Sequence, residues 1–420
     1  MEIVSLFGIL TVIFVFYKFL IRLGNTIPVL ELMLLLAGLQ WIVGPFIEYS
    51  SPSGHYKYYM YVSELDYMNF IVPAYLLFVL GVLIPLSNTS RIILSVNSFS
   101  NQSKFGLLLL LLGVVSDLLI GFVPGSLKFF FYLLSNFKFA GSIVLFFSKD
   151  KKFRIIFYLS LLYLFYNSLQ NALFHDFILW SIFFYMFWAV KFKPSIKNIL
   201  FTFLLGILSL TTLQTVKSAY RGQIWGGYSG NKIELFFGLV VESIFTNGLF
   251  EEVSENDAGN NVRLNQGWII SAVMDNIPNN QDFLGGETIT DAFVSSIFPR
   301  FLMPGKELAG GRKNFELFTG LNLGVGTSMG ISIIGESYGN YGVILGACFM
   351  FLWGLFLALI RNKLFRFISY NFLYICFIPL IFLQVVKAET ELVVVLNYLF
   401  KSLIIVFLFI YVYKRYSFNK

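Results

Sequence analysis

Apolar runs of roughly 17 to 25 residues, the length that crosses a hydrocarbon core of about 30 Å, recur along the chain and constrain its fold more than any other feature. They cover 2–20, 27–47, 68–86, 105–122, 127–148, 155–172, 176–191, 198–216, 339–360, 369–386 and 391–413. Lipid offers no partner to backbone N–H and C=O groups, so runs of this length predict helices. The expected fold is an all-α polytopic integral membrane protein of about 11 transmembrane helices, within a range of 10 to 12. Only 13% of the 420 residues are charged and mean hydropathy is +0.76, which excludes an ordinary soluble domain.

The first run, opening MEIVSLFG, has neither a basic leading region nor a small-residue cleavage site and is expected to be a retained anchor. Cys348 and Cys376 both fall in expected spans, as buried packing residues, leaving no disulfide framework and no CxxC metal motif. The net charge of +7 is not a nucleic-acid footprint, because the basic residues sort by membrane side. Lys18, Arg22, Arg91, Lys104, the SKDKKFR run, Lys191, Lys193, Lys197, Arg361, Lys363, Arg366 and the C-terminal cluster put 17 of 30 basic residues in alternate loops. By the positive-inside rule those loops are cytoplasmic, with the N-terminus outside and the C-terminus inside.

This orientation divides the chain into spans one to eight (1–216), a long extracytoplasmic connection (217–338) and spans nine to eleven (339–420). A structureless loop of that length is unusual, and helix-like pieces at 233–250, 266–277 and 288–302, separated by Gly and Asn clusters, predict that it folds. There is no internal repeat and no low-complexity tract. Within the spans the ionisable residues are few: Glu31, Asp117, Lys128, Lys138 and Lys401, mostly near span ends, where snorkelling or a local pair accounts for them. His55 and His175 lie far apart and support no metal site.

The long connection carries 13 of the 23 acidic residues against eight basic ones. In VSSIFPRFLMPGKE, residues 294–307, Arg300 follows a proline that stiffens the turn, and an always-charged guanidinium in apolar surroundings demands an anion. A protein carboxylate or a substrate phosphate would serve. Arg221, Arg263 and Lys306 are the other candidate phosphate contacts, expected with Arg300 at the mouth of the bundle. In TSMGISIIGESYGNYG, Glu336 sits among small residues as a candidate base, with Asp275 second and Arg300 stabilising developing charge. Trp225, Trp268, Tyr338 and Asn340 are candidate sugar contacts, although interfacial aromatic belts equally explain such rings. An interfacial salt bridge equally explains Glu336, and EEVSEND (251–257) reads as a solvated acidic turn. No Walker A loop, GxGxxG, HExxH or DxD motif is present, so neither ATP nor a nucleotide donor is indicated.

The run of spans, one long late loop, and the succession PR, P-x-K and GESYGNYGVILG entering a span resemble the Wzy-type O-antigen and oligosaccharide repeat-unit polymerases of bacteria. The residue-level likeness lies in 217–345. It implies a lipid-donor, GT-C-like glycosyltransferase of the bacterial cytoplasmic membrane with its active site on the periplasmic face. The growing glycan would pass from undecaprenyl pyrophosphate to the terminal sugar hydroxyl of an undecaprenyl-pyrophosphate-linked repeat unit. The resemblance implies no cofactor and no metal, and membrane lipid and a chain-length regulator protein as further partners. An O-antigen ligase is the nearest enzymatic alternative, disfavoured because 217–338 contains no histidine. A polysaccharide flippase is the non-enzymatic one, disfavoured by the lack of repeated halves.

Overall fold

The computed structural model describes residues 3–52, 58–84, 99–245, 264–297, 311–324 and 327–417. Their regular structure is helical, apart from one isolated bridge between Leu23 and Thr26. In chain order the helices are α1 (Ile3–Arg22), α2 (Val29–Ser50), α3 (Glu64–Leu83), α4 (Ser103–Leu119), α5 (Gly125–Phe146), α6 (Lys151–Asn171), α7 (His175–Phe192), α8 (Ile196–Trp225), α9 (Lys232–Phe245), α10 (Gly267–Asn276), α11 (Glu287–Ile297), α12 (Arg312–Thr319), α13 (Ser332–Tyr370), α14 (Phe372–Phe382) and α15 (Leu392–Ser417).

Among the described residues, seven helices are long and apolar enough to cross a membrane: α1, α2, α3, α5, α8, α13 and α15. These make the chain a multi-pass membrane protein. Helices occupy the other four expected runs as well, but each falls short for a visible reason. α4 has 17 residues, α6 opens on KKFR, α7 carries His175, Asp176 and Lys191, and α14 is short and begins as a 3-10 turn. Cys348 departs from expectation: it is exposed, because α13 turns its buried stripe of Gly346, Ala347, Met350 and Trp353 the other way.

The chain forms two compact units. Met1–Phe19, Pro28–Ile92 and Leu264–Lys420 make the first, Leu20–Ile27 and Ile93–Arg263 the second. The described parts of 217–338 are thus shared, α9 going to the second unit and α10, α11 and α12 to the first.

In the first unit, α3 and α13 run alongside each other in the same direction. Phe70 meets the Tyr338 ring at 4.9 Å, and further along a Cβ on Gly81 would strike the Phe351 carbonyl oxygen of α13. Gly354 faces the Phe78 carbonyl oxygen at 2.6 Å from its would-be Cβ, so the crossing is backbone against backbone. The start of α3 is signalled locally. The Ser63 hydroxyl accepts from Asp66 N–H at 3.2 Å, and Glu64 and Asp66 put negative charge at the positive end of the helix.

Two interruptions break the long helices of this unit. In α2, residues Leu39–Val43 form a π turn, and the Gln40 and Trp41 carbonyls accept from Gln266 N–H at 3.1 Å and the Tyr67 hydroxyl at 2.9 Å. Gly44 follows, with no side chain where the Leu264–Asn265 backbone passes. In α13, Gly342 adopts φ 70° and ψ −162°, which only glycine enters without strain, and this separates the arm 332–341 from the rest of the helix.

In the second unit, α4 and α5 pack antiparallel through Gly106, Gly113 and Gly141, with Gly113 against the Lys138 backbone. There Lys138 Nζ donates to Asp117 Oδ2 at 2.5 Å, and the Tyr163 hydroxyl of α6 donates to the same oxygen at 2.8 Å. Asp117 and Lys138 are therefore a local pair. α8 continues nine residues beyond 216 to Trp225, and its end packs with α9 around Leu169, Ala172, Phe174, Leu213, Val216, Tyr220 and Phe236.

The glycine crossings make a paired prediction. Gly81→Ala forces a methyl group into the α13 backbone and lowers stability by about 1–3 kcal/mol, whereas Gly206→Ala on α8, whose Cβ would meet nothing, leaves it unchanged or slightly raised. Thermal unfolding in detergent followed by circular dichroism checks both; equal Tm values for the two variants would refute the close crossing.

Candidate functional site

The run GESYGNYG forms the arm of α13 that precedes the Gly342 break. Ser332 to Asn340 are all buried there. Its glycines admit neighbours that a side chain would exclude. Gly339 lies under the Phe318 ring of α12, and Gly342 faces the Phe283 ring at 3.2 Å from its would-be Cβ. Beside the break, the carbonyls of Gly339 and Asn340 accept from the N–H groups of Leu284 and Gly285 at 3.1 and 3.0 Å. Gly285 and Gly286 adopt φ 60° and 96° to turn the chain there, immediately before α11.

Asn340 locks this junction. Its Oδ1 accepts from Gly286 N–H at 3.1 Å, and its Nδ2 donates to the Thr288 hydroxyl and to the Glu336 carbonyl, both at 2.8 Å. The amide is thus engaged on both sides by protein rather than turned outward to a sugar. Tyr338 is likewise buried, 4.9 Å from the Phe70 ring and 6.0 Å from the Phe283 ring.

Glu336 lies one helical turn before Asn340 and is 1% exposed. Its Oε2 accepts from Leu392 N–H at 3.0 Å, the first amide of α15, where a negative charge meets the positive end of the helix. Its Oε1 has no hydrogen-bond partner among the described residues. A second buried carboxyl, Glu391, immediately precedes α15 and does the same for α12. Its Oε1 accepts from Gly311 N–H at 2.5 Å and its Oε2 from Asn314 Nδ2 at 2.7 Å. Burial pushes the Glu391 carboxyl above its ordinary range, against the pull of those two donors. Each carboxyl ties a helix start to a segment distant in sequence.

Asp275 is exposed. It shares one face of α10 with Trp268 and Ser271, at spacings of seven and four residues. The segment 58–62 runs along that face. Tyr58 meets Trp268 edge-on at 5.1 Å, Tyr61 N–H donates to Ser271 Oγ at 3.1 Å, and the Tyr49 hydroxyl donates to the Val62 carbonyl at 2.9 Å. The Tyr59 and Tyr61 rings stack at 4.3 Å. Burial, the hydrogen bond with Tyr59, and the charges of Tyr59 and Asp275 together push the Tyr61 hydroxyl up to about 12. Trp268 itself is 6% exposed, with Phe315 at 6.3 Å as a further neighbour, so it supports this face from beneath.

Arg221 and Trp225 belong to the second unit. Arg221 Nε donates to the Ala172 carbonyl at 2.9 Å, and Lys232 Nζ donates to the Gln170 carbonyl at 2.9 Å. Ala172, with φ 54°, ends α6, so both cations sit at the negative end of a helix. The Arg221 guanidinium also lies 5.0 Å from the exposed Trp225 ring. Arg263, Arg300, Lys306 and the EEVSEND run (251–257) lie outside the described residues.

Glu391, Asn314 and the tyrosines of KYYMYV were not foreseen. An acidic residue opening an apolar helix, and three tyrosines in four positions beside a span, were the available signals.

Glu391→Ala leaves Gly311 N–H and the Asn314 amide without their acceptor and costs about 1–3 kcal/mol of stability. Because the folded state holds the Glu391 proton more tightly than the unfolded chain, its contribution is greatest below the ordinary 4.5 and falls as pH rises through the raised value. Glu391→Gln removes that fall. Unfolding of wild type and variant compared across pH checks the sign, and parallel pH profiles would contradict it.

Compared with known proteins, the chain matches no family model, no curated protein and no solved structure.

Proposed function

We propose that this chain is a membrane glycosyltransferase of the repeat-unit polymerase kind, elongating a glycan carried on undecaprenyl pyrophosphate in the bacterial cytoplasmic membrane. One observation carries the proposal beyond the resemblance. Six polar groups of the first unit, Glu336, Asn340, Glu391, Asn314, Asp66 and Asp275, gather where α3, α13 and α15 begin, while Glu31, Arg361, Asn362, Asn397 and Lys401 lie elsewhere along α2, α13 and α15. A pathway through the membrane wants polar groups along its length, whereas a transferase working at the boundary wants them at one end. On the orientation proposed from the basic residues, that end faces the periplasm, with the N-terminus outside and the C-terminus cytoplasmic.

In this proposal the acceptor sugar hydroxyl attacks the anomeric carbon of the growing glycan, and the bond from that carbon to the pyrophosphate oxygen breaks. The hydroxyl proton passes to a carboxylate. Exposure favours Asp275 for that role, because a base must reach the proton that it takes, and Glu336 is 1% exposed with one oxygen held by Leu392 N–H. Glu336 then acts as a positioning residue that ties the arm of α13 to α15. Arg263, Arg300 and Lys306 are proposed to meet the pyrophosphate, whose departure builds negative charge. Arg221, engaged with the Ala172 carbonyl, is proposed to hold Trp225.

The test is elongation by the purified full-length protein in nanodiscs, supplied only with its undecaprenyl-pyrophosphate-linked repeat unit and read on a glycan gel. A ladder at repeat-unit spacing is expected, slowed about 10²- to 10⁴-fold by Asp275→Asn and lost in Arg300→Ala. Transfer only to a lipid A–core acceptor would indicate a ligase. Transbilayer movement of the same lipid without any ladder would indicate a flippase and overturn the proposal.

A further inference from the structure

Alongside α10 the protein exposes a rigid aromatic pair beside a carboxylate. Tyr59 remains 46% exposed although one face of its ring is stacked on Tyr61. The segment that carries the pair is pinned at three points: Tyr58 against Trp268, Tyr61 N–H on Ser271, and the Val62 carbonyl under the Tyr49 hydroxyl. Such pinning removes much of the ordering cost that a flexible contact would incur on binding. Asp275 stands one turn from Ser271 on the same helix, near enough for its charge to act on the Tyr61 hydroxyl.

We propose that Tyr59, Tyr61 and Asp275 form a carbohydrate subsite that holds one uncharged pyranose ring. A pyranose presents an apolar face of C–H groups, which an exposed tyrosine ring covers, and hydroxyls around its edge, which a carboxylate accepts as charge-assisted hydrogen bonds. The charge selects among ligands. A lipid phosphate would meet the Asp275 carboxylate as a like charge, and among the described residues this face holds no cation to offset it, since Trp268, Ser271 and Asp275 are its α10 residues and Tyr58, Tyr59 and Tyr61 line the other side. A hydroxyl-rich neutral ring carries no such penalty. The subsite deepens the proposed function, on which it rests for one point only: the ring held would be the acceptor sugar, whose hydroxyl then lies at Asp275.

Binding is measured apart from turnover, with the full-length protein in nanodiscs of neutral lipid. The probes are an immobilised set of neutral hexose and N-acetylhexosamine di- and trisaccharides. Saturable binding to at least one member is expected, weakened about tenfold by Tyr59→Ala and by Asp275→Asn, and retained by Tyr59→Trp. Tyr59→Trp keeps the ring and so separates stacking from folding; each variant is also checked for wild-type elution and thermal unfolding. No binding by folded wild type across the set, or binding indifferent to Tyr59→Ala, overturns the subsite and leaves Tyr59 as an interfacial anchor. Sugar binding that depends on Tyr59 without any ladder in the elongation assay keeps the subsite and removes the polymerase. A ladder with binding and rate both insensitive to Tyr59→Ala does the reverse.

Discussion

A helix that stops inside an apolar medium must find new partners for every backbone group it releases, because lipid supplies none. The first unit breaks its long helices twice, at the π turn of α2 and at Gly342 of α13, and both breaks are answered by protein from the 264–286 stretch. Gln266 N–H goes to Gln40, Leu284 and Gly285 N–H go to Gly339 and Asn340, and the Asn340 side chain takes Gly286. The 264–286 stretch, with α10 inside it, is consequently tied at both ends to the interrupted helices, and α11 is tied at its start. A polar surface assembled this way is rigid as well as polar, which a site for orienting substrates needs.

The same economy governs the buried carboxyls. Glu336 and Glu391 each reach across the sequence to the start of a helix, α15 and α12 respectively, where unsatisfied N–H groups and the helix dipole concentrate positive potential. In the second unit the sign is reversed. Arg221 and Lys232 take the last carbonyls of α6, a negative end. These four charges sit at helix termini, and a charged residue near a helix end is a poor guide to substrate contact until its partner is known.

That explains what could be read from the sequence and what could not. Hydrophobic run length located helices at all eleven expected spans, since lipid and backbone chemistry leave few alternatives; it could not say which are long and apolar enough to cross, because α7 carries Asp176 and Lys191 near its ends and α14 is a shorter apolar helix. The glycines around Glu336 signalled close backbone approach correctly, yet the approach is by Phe318 and Phe283, and the arm closes over the carboxylate rather than exposing it. α12 escaped notice because it is eight residues long and the acceptor for its Gly311 N–H, Glu391, is some 80 residues away in sequence. The tyrosines of KYYMYV looked like an ordinary interfacial belt, and only Ser271 and Trp268 reveal that they are held against a helix bearing a carboxylate.

Two carboxylates singled out from the sequence for one task therefore separate by environment. Glu336 is enclosed, bonded to an amide and fixed to a helix junction, so moving it would disturb α13 and α15 together. Asp275 is exposed on a face whose neighbours are aromatic and whose backbone is pinned. Proton transfer to a bound hydroxyl asks for access and for fixed surroundings at once, and a flexible surface acid offers only the first while a buried cap offers only the second. α10 provides both because its buried side, Trp268 and Ser271, is held by the segment that also presents Tyr59 and Tyr61. The tyrosines and the carboxylate then depend on one another: without the pinned segment Asp275 is a solvated surface charge, and without Asp275 the rings are an interfacial anchor.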